Sequence, residues 1–169
     1  MWQLKKSIRN IARKAGFDVV RYGPRTHPLA RRKRIMSTYQ INLVLDVGAN
    51  IGQYGKELRE IGYTGSIVSF EPLSAAFKEL KRRSERDSSW AVYNFALGDK
   101  NEAASINIAG NSYSSSILDI LPSHIKSAPE SEYIGHEEIM VKTLDGFYSD
   151  IANDRDNVYL KIDTQGYEE

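Results

Sequence analysis

The segment Leu43-Val44-Leu45-Asp46-Val47-Gly48-Ala49-Asn50-Ile51-Gly52 restricts what this chain can fold into more than any other stretch of it. Residues 43–47 are an apolar run broken by one carboxylate, the pattern of a strand buried on both faces. Two glycines and an asparagine follow, and then Tyr54, Leu58 and Ile61 recur at helical spacing as far as Gly62. A strand that leaves through a glycine turn into a helix is half of a β–α–β unit. The missing side chains let a ligand approach backbone N–H groups at the helix N-terminus. Ligands of such sheets lie outside the carboxyl ends of the strands.

The same alternation continues. Residues 66–71 read as a second strand with Pro72 starting the next turn, and Phe77 and Leu80 line a helix whose other face carries Lys78, Lys81, Arg82 and Arg83. Residues 90–95 read as a third strand and residues 158–163 as a later one. Strands alternating with helices imply a doubly wound, mostly parallel α/β sheet. Between the last two strands, residues 104–109 and 139–142 read as strands flanking the polar loop Asn111-Ser112-Tyr113-Ser114-Ser115-Ser116. They are expected to form an insertion over the ligand edge rather than a separate domain. Phe70, Phe77 and Trp90 read as core, and Thr143 with Asp145 as a helix cap.

Asp46 separates this turn from a dinucleotide turn. A carboxylate two residues before Gly48 would repel a pyrophosphate, but it suits a ligand carrying an ammonium and a sulfonium. Asn50 also stands where a G-x-G-x-x-G turn has its middle glycine, and Gly52 closes the turn. Asn accepts unusual backbone angles better than most residues. Glu71 ends the second strand about 20 residues further on, where an acid can accept hydrogen bonds from ribose hydroxyls. Asp46, Gly48, Asn50, Gly52 and Glu71 are therefore the candidate cofactor-binding residues.

These residues belong to a longer pattern. Asp46-Val47-Gly48-Ala49-Asn50-Ile51-Gly52, Phe70-Glu71-Pro72, Ala96-Leu97-Gly98-Asp99, Thr143-Leu144-Asp145 and Lys161-Ile162-Asp163-Thr164-Gln165-Gly166-Tyr167-Glu168 resemble the FkbM-type methyltransferases, in order and in spacing. The resemblance runs from about Leu43 to Glu169. It implies a Rossmann-like sheet of the class I methyltransferase type, S-adenosylmethionine as cofactor, and O-methylation of a sugar, glycan or polyketide-like natural product. It also implies cofactor contacts at Asp46, Gly48, Asn50, Glu71 and Leu97, the last near the adenine. Members of the family continue past the point where this sequence ends. Residues 42–169 are accordingly read as the N-terminal part of a C-terminally truncated methyltransferase domain, with the strand at 158–163 left as an uncovered edge.

Methyl transfer to an alcohol needs the acceptor's proton removed beside the methyl group. Asp163, at the end of the last strand, is the first candidate for that role. Lys161 lies two residues earlier and faces the same side, and Glu168 follows Gly166; both are further catalytic candidates. In the competing structural reading, Lys161 and Asp163 form a buried ion pair and Glu168 is a solvated acid. A divalent metal between Asp163 and Glu168 has little support from spacing alone, and no metal site is assigned. Ser114, Ser115 and Ser116 read equally as acceptor-pocket residues or as a polar loop, and His124 and His136 as loop histidines before bases.

Composition adds a division of charge. The net charge of +1 conceals eleven Lys and Arg against the single Asp18 in residues 1–40, and twelve basic against twenty-one acidic residues beyond them. Residues 1–41 are read as a basic helical arm on an acidic domain. Leu4, Ile8, Ile11, Ala12 and Ala15 form its apolar stripe, Gly16 its stop, and Pro28 opens a second helix towards Tyr39. With Trp2, the stripe fits a helix lying on an anionic membrane surface; docking on its own acidic domain is the alternative. No apolar run reaches the roughly 20 residues of a membrane span, and no apolar leader starts the chain. The expected location is the cytoplasm, with peripheral membrane contact. Two other functional classes compete: a nicotinamide oxidoreductase, disfavoured by Asp46, and a binding module whose arm contacts nucleic acid or membrane. Nothing resembles the Pro-Pro-aromatic loop of base-methylating enzymes, and no aromatic platform for base stacking stands out.

Overall fold

A computed structural model describes residues 2–19, 21–109 and 133–164. The first elements are helices α1 (Trp2–Lys14) and α2 (Pro28–Thr38). The alternating region then runs β1 (Leu43–Val47), α3 (Gln53–Glu60), β2 (Ser66–Phe70), α4 (Ser74–Ser84) and β3 (Trp90–Tyr93). After it come β4 (Ala96–Leu97), β5 (Glu102–Ala109), β6 (Tyr133–Lys142), α5 (Asp145–Ile151) and β7 (Val158–Ile162).

β3, β2, β1 and β7 lie side by side in that order, every neighbouring pair parallel. This is the expected α/β sheet, with β1 at its interior. The alternation of side chains sorts each strand between two cores. Leu43, Leu45 and Val47 point with Val68, Phe70 and Phe95 towards α5. There Phe147 meets Phe95 and Tyr93 edge-on, at ring separations of 5.3 and 4.8 Å. Val44 and Ile67 point the other way, into a core with Met36 of α2, Leu58 of α3, Leu80 of α4 and Trp90.

α3 stops where glycine permits. Gly62 adopts φ 84°, and the N–H groups of Gly62 and Tyr63 return to the carbonyls of Arg59 and Leu58. Arg59 then fastens this corner, donating to Asp87 at 2.6 Å and to the carbonyls of Tyr63 and Gly65. α1 closes at Gly16 in the same way, as its sequence indicates.

Several boundaries differ from the sequence reading. The third strand ends at Tyr93, because the Asn94 amide turns back to donate to the carbonyls of Glu71 and Pro72. The two strands of the insertion are longer than expected, Glu102–Ala109 and Tyr133–Lys142, and pair antiparallel. With β4, which pairs parallel to β6 and was not foreseen, they form a second, three-stranded sheet. Thr143 does cap α5, its Oγ1 accepting from the Gly146 N–H at 3.3 Å. Ser114, Ser115, Ser116, His124 and Glu168 lie outside the described residues.

Gly55 tests the packing behind the site. Glycine inside a helix costs about 1 kcal/mol relative to alanine, so α3 alone would favour a substitution. A Cβ at Gly55 would, however, stand 2.3 Å from the Trp90 indole. Gly55→Ala is expected to destabilise the protein by about 1–3 kcal/mol in urea denaturation. A stabilised variant would show that the indole can move aside freely.

Candidate functional site

Alternation places a row of polar side chains one residue before the carboxyl end of the sheet. In register, Asp46 of β1 lies between Ser69 of β2 and Lys161 of β7, all three on the face covered by α3 and α4. Asp46 is fully buried. Its Oδ1 lies 3.0 Å from the Lys161 ammonium, and its Oδ2 accepts from the Ser69 hydroxyl at 3.3 Å. Ser69 Oγ in turn accepts from the Trp90 indole N–H at 3.0 Å. Lys161 also donates to the carbonyls of Val47 and Gly48, at 3.2 and 3.0 Å. One ammonium thus joins β7 to the carboxylate and to the turn that follows it.

The turn depends on left-handed backbone at three of its residues: φ is 70° at Gly48, 49° at Asn50 and 85° at Gly52. At Gly48 space is decisive as well, because a Cβ would stand 2.0 Å from the carbonyl oxygen of Asp163. The end of β7 therefore lies directly against the turn, with the Asp163 N–H donating to Val47 at 3.1 Å. Asn50 takes its unusual angle with support from its own side chain, whose Oδ1 accepts from the Ile51 N–H at 2.7 Å.

Glu71, just past β2, is buried and reaches across to the turn. One carboxylate oxygen accepts from the Asn50 N–H at 2.8 Å, and the other from the Leu73 N–H at 3.0 Å. The N–H groups of Gly48 and Ala49 both donate to the Phe70 carbonyl, and that of Gly52 donates to Ala49. All five consecutive N–H groups from Gly48 to Gly52 are thus committed within the protein. The sequence suggests a turn offering N–H groups to a ligand; the structure corrects this, because Phe70, Glu71, Ala49 and Asn50 have taken them.

Electrostatics follow from burial. Desolvation pushes Asp46 above the usual carboxylate range, opposed first by the charge of Lys161. Glu71 is raised for the same leading reason, opposed by its two backbone hydrogen bonds. Asp163 differs. Its side chain is 58% exposed, with Oδ2 3.8 Å from the Lys161 ammonium. The competing reading of a buried Lys161–Asp163 pair is not met: the close, buried partner of Lys161 is Asp46, and Asp163 stands at the solvent-facing end of the same group.

Leu97 lies on β4, partly buried against the aromatic core of Phe70 and Phe95. His136 is exposed on β6, paired in register with Asn107 and outside the carboxylate cluster. Ser69, Trp90 and Tyr54 were missed as site residues. The available signal was Ser69, the one polar residue in the buried run from Ile67 to Phe70. Tyr54 lies beneath the site, its ring 5.7 Å from the Lys161 ammonium and 4.3 Å from the Arg32 guanidinium.

Fold and site together define a parallel α/β protein with buried carboxylates at the ligand edge of its sheet and a glycine turn whose own donors are spent. The domain described as Methyltransferase FkbM domain matches residues 46–169, and the chain belongs to that methyltransferase family. No curated protein matches it. Among solved structures it is similar to the crystal structure of P. horikoshii TYW2 in complex with MeSAdo, at 20% identity and a TM-score of 0.30. That similarity covers 47% of this chain and 31% of the other, so the chain spans under a third of that protein. None of the described helices is long and apolar enough to cross a membrane.

The buried carboxylates carry a testable pH dependence. With its pKa raised, Glu71 keeps its proton in the folded protein at a pH where the unfolded chain has released it. Ionised Glu71 therefore costs stability at neutral pH, and this cost disappears as pH falls through the raised value. The ligand-free protein is expected to gain melting temperature on mild acidification. At lower pH, Asp87, held below the usual range by its hydrogen bond to Arg59, begins to lose its contribution. Glu71→Gln, which cannot titrate, is expected to show a shallower gain. Superimposable profiles would mean that Glu71 titrates as it does in water.

Proposed function

We propose that the chain binds S-adenosylmethionine at the carboxyl edge of β1, β2 and β7 and transfers its methyl group to a hydroxyl of a sugar, glycan or related natural product. The observation that carries this reading is the commitment of every N–H group from Gly48 to Gly52, combined with buried acids at Asp46 and Glu71. A dinucleotide pyrophosphate needs free N–H donors and tolerates no neighbouring carboxylate. A cationic ligand with a ribose needs acceptors, and those are what this edge offers.

Residues present fit such a cofactor. Glu71 uses one lone pair of each oxygen on the backbone and retains others for ribose hydroxyls. Gly48 and Gly52 leave the turn without side chains, Asn50 adds an amide, and Leu97 supplies an apolar wall for the base. Asp46 acts from beneath the turn, through its charge and through Lys161, rather than from its surface. The cofactor supplies an electrophilic methyl group on a sulfonium. Asp163 is the general base: exposed, beside the turn and steadied by Lys161, its carboxylate would take the acceptor's hydroxyl proton. Lys161 holds the strand end in place for this step, and Glu168 is a second acid of the same reading. Positioning supplies much of the acceleration in an in-line displacement.

Two measurements test the proposal. By calorimetry, S-adenosylhomocysteine is expected to bind and NAD is not, and Glu71→Gln is expected to weaken the former by about 1–3 kcal/mol, the scale of a charged hydrogen bond. Binding of NAD alone would overturn the cofactor. In methyl transfer to a hydroxyl acceptor, Asp163→Asn is expected to lower turnover about 10²- to 10⁴-fold with cofactor affinity little changed. Full turnover in that variant would remove Asp163 from the chemistry.

A further inference from the structure

Helix α1 and the segment after it make no described contact with the site, yet they carry an organised surface. Apart from half-buried Ala12, every side chain of α1 from Lys6 to Lys14 is exposed. Ile8 and Ile11, one turn apart, are 50% and 69% exposed. At 3.6 residues per turn they share a face with Ala12, while Lys6, Arg9 and Arg13 fall together on the opposite side. Past the glycine stop the apolar surface continues with Phe17 at 71% and Val19 at 47% exposure. The Phe17 N–H donates to the Ala12 carbonyl at 2.9 Å, which brings the residue back beside the apolar face.

Charge completes the pattern. Within residues 1–40, Asp18 is the only acid, and it is spent on Arg9 and Arg13 at 3.0 and 3.2 Å. Lys14, Arg21, Arg25, Arg31, Lys33 and Arg34 are exposed cations of the same stretch. The remainder of the chain is acidic. A helix that merely docked on that acidic remainder would bury its apolar face there, whereas Ile8 and Ile11 stand in water.

We propose that α1 and the segment through Val19 form an in-plane anchor for a membrane surface of anionic lipid. Such an interface satisfies both halves of the pattern: the apolar face enters the boundary of headgroups and acyl chains, and the flanking cations meet the negative surface. A nucleic acid would use the cations alone and leave Ile8, Ile11 and Phe17 exposed. The acidic domain is repelled by the same surface, so the contact is confined to the arm. This anchor is independent of the proposed chemistry and would hold whatever the site methylates.

Vesicle flotation of the full chain tests it, with phosphatidylcholine vesicles prepared with and without phosphatidylglycerol. Recovery in the floating fraction is expected to be roughly tenfold higher with the anionic lipid and to fall at high salt. The Ile8→Ser/Ile11→Ser variant, which removes only exposed side chains and leaves the fold intact, is expected to stay at the bottom of the gradient, as is a chain lacking residues 1–16. An unchanged melting temperature for the Ile8→Ser/Ile11→Ser variant confirms that folding is not what was lost. Equal flotation of wild type and variant overturns the proposal, as does equal recovery on both vesicle types. Retention of a single-stranded RNA oligonucleotide in a gel shift, without flotation, would assign the surface to nucleic acid and overturn it as well.

Discussion

The contact between Lys161 and Asp46 holds the working edge of this protein together. A carboxylate with no solvent exposure cannot stay ionised without a counter-charge close by, and the only ammonium or guanidinium described within ion-pair distance of Asp46 is that of Lys161. The same ammonium spends hydrogen bonds on the carbonyls of Val47 and Gly48, so it determines where β7 ends relative to the turn. From that placement follows the close approach of the Asp163 carbonyl to Gly48, which excludes any side chain there. Removing one member of a buried pair typically costs about 3–5 kcal/mol. Here the loss would also release the strand end that presents Asp163.

A second support reaches the same carboxylate from behind. Gly55 gives α3 room for the Trp90 ring; Trp90 directs its N–H to Ser69; Ser69 directs its hydroxyl to Asp46. Helix, strand and turn are therefore joined by contacts in which each group has one partner on either side. Buried polar chains of this kind stabilise only when every member is satisfied. A glycine in the first turn of α3, just behind the ligand edge, thus sits in the same structural unit as the acid at its centre.

Much of this was legible in the sequence. The strand–glycine–helix order, the positive-φ positions at Gly48, Asn50 and Gly52, the helix stop at Gly62 and the acid at Glu71 all come from local chemistry, and local chemistry is what periodicity and turn residues report. The register was not legible. Nothing in the order of residues says that Lys161 lies beside Asp46 across a parallel pair separated by more than a hundred residues, so Asp163 looked the nearer partner. Nor could the sequence reveal that the turn donates all its N–H groups inward, because Phe70 and Glu71 become their acceptors only once β2 is laid beside β1. The short strand at Ala96–Leu97 went unseen for a similar reason, since two residues carry no period.

A turn whose donors are all engaged has a consequence for discrimination. The backbone of the turn can only accept, and Glu71 adds the lone pairs left on its carboxylate; donors have to come from side chains such as the Asn50 amide. Any molecule settling against such a lining is sorted by polarity rather than by shape, since each of its own acceptors facing the turn meets another acceptor and loses its water without replacement. A compound that replaced a positive centre with an amine would keep its place, whereas one that put a carboxylate or phosphate there would be rejected at the cost of burying like charges together. Selection is thus written into the backbone hydrogen bonds of the fold before any side chain touches the guest.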